Sequence, residues 1–131
     1  MQEFLENFQC RPPASPAAIA ACEDQLGAKF PEDYVTFLRL ANGGEGFVGE
    51  NQPLILWPVE ELTSINDGYH VHDYAPGLLI FGSNGGGDAY GFDTRSPEWP
   101  IVELPFVGMS WSDATSVASS FEAFIKYLYE C

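Results

Sequence analysis

The chain has 131 residues, 46% hydrophobic and 18% charged, with ten Phe, six Tyr and three Trp, which suffices for one apolar core and excludes a disordered chain. Nineteen acids against five bases give a formal net charge of -14, which opposes direct nucleic-acid or anionic-membrane binding, where affinity comes from Lys and Arg. The same charge favours a basic protein partner and also serves solubility.

Phe4, Leu5 and Phe8 have helical spacing and predict a short N-terminal helix, ended by the proline-rich link RPPASP, so residues 1–14 precede a core over 15–131. Ser15 then caps a helix with Pro16 at its first position, Ile19, Cys22 and Leu26 on one stripe, and Gly27 as its left-handed stop. In FPEDYVTFLRLANGG, Pro31 opens a helix with Glu32 and Asp33 at its positive end. Tyr34, Phe37, Leu38 and Ala41 line one of its faces, and Asn42, Gly43 and Gly44 end it. LILW at 54–57 is a short apolar run, and VEELTSIND predicts a brief helix presenting Val59, Leu62 and Ile65 before a loop over 67–77. LLIFGS, AYGFDT and IVELPFV are strand-like runs separated by glycine or proline, with Pro105 marking an edge or bulge. SSFEAFIKYLYE closes the chain as a helix with Ser119 and Glu122 at capping-box spacing and Phe121, Phe124, Ile125 and Leu128 on its stripe. Helices at both ends with strands between them make the class α+β, one domain over 1–131 with a mainly antiparallel sheet.

The glycine loop FGSNGGGDAYGFDT matches no ligand-binding pattern. A dinucleotide turn needs Gly at its first, third and sixth positions and a following helix, whereas Gly85 and Gly87 lead to Tyr90 and a strand. The calcium loop's order of acids and closing glutamate is missing, and Ser83 lacks the glycine and helix of a nucleophile elbow. What remains is a hairpin whose glycines permit positive φ while Ile80, Phe81, Tyr90 and Phe92 pack.

Cys10, Cys22 and Cys131 are widely spaced and odd in number, so neither a disulfide scaffold nor a zinc module is indicated and a reducing cytoplasm fits. IAAC at 19–22 has the look of a lipoprotein cleavage box, but Glu3, Glu6, Pro12, Pro13 and Pro16 leave no room for the basic and apolar regions of a leader. No window approaches the roughly 20 apolar residues of a membrane span. His70, His72 and Asp73 in YHVHD would face one metal from an extended segment, the basis of a metal-dependent hydrolase reading. Ordinary loop histidines are the simpler account, because no third imidazole or thiolate lies nearby. Likewise Glu60–Glu61 and Glu32–Asp33 read as helix-start acids. No catalytic residue, metal or cofactor is expected.

Trp57, Trp99 and Trp111 lie beside prolines or serines, where a partly exposed indole anchors a protein partner; core packing is the competing role. With Glu50, Asp88, Asp93, Glu98 and Asp113 as a charged rim, these eight are the candidate partner-binding residues.

FPEDYVTFLRLANGG resembles the signature opening of the SUKH superfamily, LLIFGSNGGGDAYGFDT its hairpin, WPIVELPFV its following strand and ASSFEAFIKYL its closing helix, together covering about residues 15–130 in family order. That resemblance implies an α+β fold without enzyme activity, shared by fungal cell-wall-synthesis regulators and bacterial immunity proteins. Pro31, Tyr34, Leu38, Asn42, Gly43, Gly44, Asp88 and Phe121 match its pattern, most in structural roles. Bacterial members of that superfamily bind and neutralise toxins, often nucleases; taken with the charge of -14 and the cysteine usage, the expectation is a cytoplasmic protein that neutralises a basic toxin domain by occlusion, with a regulatory adaptor for a cellular protein as the alternative.

Overall fold

The computed structural model describes residues 2–130, so Cys131 of the cysteine set lies outside the described residues. Seven strands, β1 (Phe8–Cys10), β2 (Gly44–Val48), β3 (Gln52–Leu56), β4 (Leu78–Ser83), β5 (Asp88–Asp93), β6 (Ile101–Pro105) and β7 (Thr115–Ala118), form one antiparallel sheet whose spatial order is the chain order. The helices are α1 (Pro16–Leu26), α2 (Glu32–Leu40), α3 (Leu62–Gly68), α4 (Val71–Tyr74) and α5 (Phe121–Glu130), so the class is α+β.

The inner face of the sheet carries α1, α2 and α5. Every stripe residue expected on α2 and α5 is buried, as are Ile19 and Cys22 of α1, around an aromatic centre on Tyr34. The Tyr34 ring meets those of Phe92 at 5.2 Å and Phe121 at 5.1 Å, while Phe81 stacks on Phe92 at 4.6 Å. Burial pushes the Tyr34 phenol well above its ordinary range.

Local chemistry sets the ends of these helices. Ser15 Oγ accepts the Ala18 amide at 3.1 Å and Gly27 closes α1 at φ 71°. At α5 the capping serine is Ser120, not Ser119: its Oγ accepts the Ala123 amide at 3.1 Å. The Glu122 amide donates to Asp33 Oδ2 of α2 at 2.9 Å, so a neighbouring helix supplies the second cap that the expected Ser119–Glu122 box would have made.

The Asn-Gly-Gly segment is a packing device. Asn42 is buried; its Oδ1 accepts the Val59 amide at 2.8 Å and its Nδ2 donates to Glu60 Oε1 at 2.7 Å, tying the end of α2 to the turn Val59–Glu61. A side chain at Gly43 would put its Cβ 2.4 Å from the Leu56 carbonyl oxygen, and one at Gly44 2.3 Å from that of Gln9. Only glycine lets β2 pass between β1 and β3 at this point.

Three expectations change. The N-terminal helix is a single 3₁₀ turn, Gln2–Leu5, and Phe8 begins a strand, because pairing of Phe8 with Gly46 outweighs its local helical spacing. The expected loop over 67–77 contains the end of α3 and the one-turn α4, entered through His70 at φ 55°. β6 is an interior strand with its register shift at Ile101/Val102, and Pro105 lies beyond its pairing with β7.

Candidate protein-binding face

The glycine loop spends its polar groups on itself. Asn84 Oδ1 accepts the Gly86 amide at 2.8 Å and the Asp88 amide at 3.2 Å, while Ser83 Oγ accepts the Gly85 amide and donates to the Asp88 carbonyl. Gly85 and Gly87 take φ of 76° and 106°, the left-handed region that a tight hairpin needs. Ile80, Phe81, Tyr90 and Phe92 on the flanking strands are buried, as the hairpin reading requires.

The outer face of the sheet divides in two. Over β4–β6, α3, α4 and the 109–114 segment cover Leu78, Ile80, Ala89, Val102 and Leu104. Over β1–β3 the outward row is Gln9, Glu45 and Ile55 in direct register, with Phe47 opposite Pro53 beside it. Gln9, Glu45, Phe47 and Pro53 are exposed, Phe47 at 46%, and Ile55 is half-buried. Two shallow hollows of about 270 and 410 Å³ share Gln9, Glu45 and Ile55, so they form one continuous depression. Arg11, Trp57 and Glu61 border one end, and Asn84 and Gly85 of the glycine loop border the other.

Trp57 extends this face into an aromatic wall. Its ring lies 6.4 Å from that of Phe106, which lies 4.7 Å from that of Tyr69, and the adjacent Val107 is 90% exposed. An apolar floor and a wall of rings are what a protein anchor requires, and the Glu45 carboxylate adds a charge for a basic partner group to meet.

The eight residues singled out from sequence fall into two groups. Trp57 borders the open face, Glu50 lies exposed in the β2–β3 turn, and Asp88 stands beside the glycine loop with its Oδ2 on Asn84 Nδ2 at 3.2 Å. Asp93 stands at the far end of β5, about 17 Å from Asp88 at the usual strand rise. There the Arg95 guanidinium forks onto both Asp93 oxygens at 3.0 and 3.1 Å and lies 3.5 Å from the Trp111 ring centroid, while Trp111 Nε1 donates to the Pro76 carbonyl at 2.8 Å. The Arg95 hydrogen bond holds the Asp93 carboxyl below the usual carboxylate range. Glu98 accepts from Ser96 Oγ at 2.9 Å, Asp113 is exposed, and Trp99 packs on Phe30 and Phe92 of the inner core. Trp99 packs against the inner cluster, Trp111 against the outer one and Trp57 against both.

Glu45, Phe47, Ile55, Tyr69, Phe106 and Val107 are not among the eight sequence candidates; the available signal is a phenylalanine at an outward position of a glycine-interrupted strand. His70 Nδ1 lies 3.8 Å from Asp73 Oδ2, both side chains largely exposed. Among the described residues no group of three or more His, Cys, Asp or Glu stands close enough to hold a metal ion, and no helix is long and apolar enough to cross a membrane. Asp88, Tyr90 and Glu103 act on one another: burial, then the Asp88 charge, hold the Glu103 carboxyl above its ordinary range, and the Tyr90 hydrogen bond opposes this.

An antiparallel meander with three helices on one face and a half-covered second face defines an α+β protein of the kind the hairpin and Asn-Gly-Gly motifs suggested. The chain belongs to the SMI1 / KNR4 family (SUKH-1), whose model matches residues 13–127. It is also similar to the uncharacterized protein YnaB of Bacillus subtilis (strain 168), 29% identical over 124 residues that span 93% of this chain and 81% of that protein.

Proposed function

We propose that this is a non-catalytic protein-binding domain of the immunity type, which neutralises a basic toxin domain by occluding it with the open face of β1–β3. The observation that carries this reading is the uncovered depression itself, where Phe47, Pro53 and Ile55 surround Glu45 although the other half of the same face is sealed by helices. A contiguous apolar patch left exposed by the fold marks a contact site, which a singly exposed apolar residue does not. Net charge of -14 adds long-range attraction for a cationic partner, whose own phosphate-binding surface the acids would cover. Of the eight sequence candidates, Trp57 and Glu50 are assigned to this contact and Asp88 to its margin. Family membership supports a protein partner, and a cytoplasmic site of action follows from the same reading.

The test is a calorimetric titration against the purified product of a neighbouring toxin-like gene at low and high salt. The expected result is nanomolar binding that weakens with salt, and loss of roughly tenfold or more in affinity for Phe47→Ala or Glu45→Lys. Micromolar, salt-insensitive binding, or full affinity in both variants, overturns it.

A further inference from the structure

A second cleft, of about 250 Å³, lies away from the open face, between the last turns of α1 and α3, the start of β4 and the 94–99 loop. Leu26, Leu78, Leu79 and Trp99 form its apolar part, and Asp67 and His72 stand in its lining. The volume lies below the roughly 300–1,000 Å³ of small-molecule sites and suits a single side chain. Among the described residues, both non-glycine residues in the left-handed region flank it: Trp99 itself at φ 53°, and His70 at φ 55°, which launches the turn carrying Val71 and His72. Bulky side chains rarely adopt that conformation, which persists only where the surroundings over-determine it and which clusters at binding sites.

The polar chemistry of the cleft narrows what it takes. Asn66 is fully engaged, donating to the Leu62 and Ile80 carbonyls and accepting the Ile80 amide, and the Thr94 hydroxyl donates to the Gly77 carbonyl. That leaves the Asp67 carboxylate and the His72 imidazole, both on exposed residues. The carbonyl ends of α1 and α3 lie in the same wall and add negative potential. An apolar slot lined by an indole and an exposed carboxylate suits an aliphatic stem ending in a flat cation. The molecule already uses this chemistry internally, where Arg95 lies over Trp111 and forks onto Asp93.

We propose that this cleft receives one arginine side chain of the protein partner, its stem along Leu78 and Trp99 and its guanidinium at Asp67. The proposal rests on the protein-binding reading and adds a second, separate anchor to it. It is tested with the intact protein and the capped peptide acetyl-Gly-Arg-Gly-amide, against the same peptide with uncharged citrulline, by following indole and backbone amide resonances. Expected are shifts at Trp99, Asp67 and Val71 with Trp57 unmoved, binding roughly fivefold weaker for citrulline, and a similar loss in the solvent-exposed, isosteric variant Asp67→Asn at unchanged melting temperature. Equal binding of the two peptides, no effect of Asp67→Asn, or shifts confined to other regions overturns it. The two readings fail separately: a toxin captured normally by Asp67→Asn sinks the arginine cleft alone, and a positive peptide result with no toxin capture sinks the toxin reading alone.

Discussion

Across β4, β5 and β6 the outer face is as dry as the inner one, and every residue of β4 is buried. Across β1, β2 and β3 the same face meets water, and burial there follows the alternation of a one-sided sheet. The difference comes from the segment between Leu56 and Leu78. It leaves the sheet after β3, lays α3 and α4 over the later strands, and returns as β4, so that β3 and β4 pair briefly, through Ile55 with Ser83, Leu56 with Gly82 and the Trp57 amide on the Phe81 carbonyl. Asn66 replaces the missing strand partner, holding both backbone groups of Ile80 at 2.9 Å. A strand covered on both sides is apolar on both sides for folding alone. Apolar residues on the uncovered half, such as Phe47 and Ile55, have no such reason to be there, which is why the contact site is assigned to them.

The sharpest way to break this contrast is to truncate one residue from each half. Leu104→Ala on the covered half is expected to cost about 2–5 kcal/mol in chemical denaturation through lost burial and a cavity. Phe47→Ala on the open half should stay within about 0.5 kcal/mol and register only in partner affinity. Equal destabilisation by the two would show that Phe47 serves the fold. Next in size is Asn66→Ala, which strands the Ile80 amide and carbonyl beneath α3 and is expected to cost about 1–3 kcal/mol; a neutral result would mean that something else joins β4 to the helices.

The smallest effect contrasts two acids. Because the folded-state Glu103 carboxyl titrates above its ordinary range, its contribution to stability is complete below the unfolded value of about 4.3 and is lost as pH rises through the raised folded value. At neutral pH the ionised group therefore opposes folding, and Glu103→Gln is expected to raise the melting temperature by roughly 1–3 °C. Glu45→Gln on the open face should leave it unchanged. Melting curves from pH 4 to 8 check both, and an equal gain in the two variants removes the electrostatic part of the contrast.

Much of the inner face was readable beforehand. The stripes of α2 and α5, the Ser15 and Gly27 ends of α1 and the 84–87 hairpin all follow from spacing and turn chemistry within a few residues. β1 was not readable, because Phe8 shares helical spacing with Phe4 and Leu5 and leaves it for a strand only where it meets Gly46. The same holds for the cap that Asp33 lends to α5 and for the grip of Asn66 on β4, each made between groups distant in sequence. Trp57 was chosen as a candidate for its proline neighbour, and its place at the wall of the open face comes from Phe106 across the fold.

Local periodicity, caps and composition determine the helices, the hairpin, the acidic charge and the family motifs, since each depends on neighbours a turn or a pleat away. Which half of the outer face is covered, which apolar side chains are left in water and which cleft gathers Asp67 and Trp99 depend on long-range register and on where one inserted segment comes to rest. Those outcomes are set by burial across the whole sheet, a term that no short window of sequence contains.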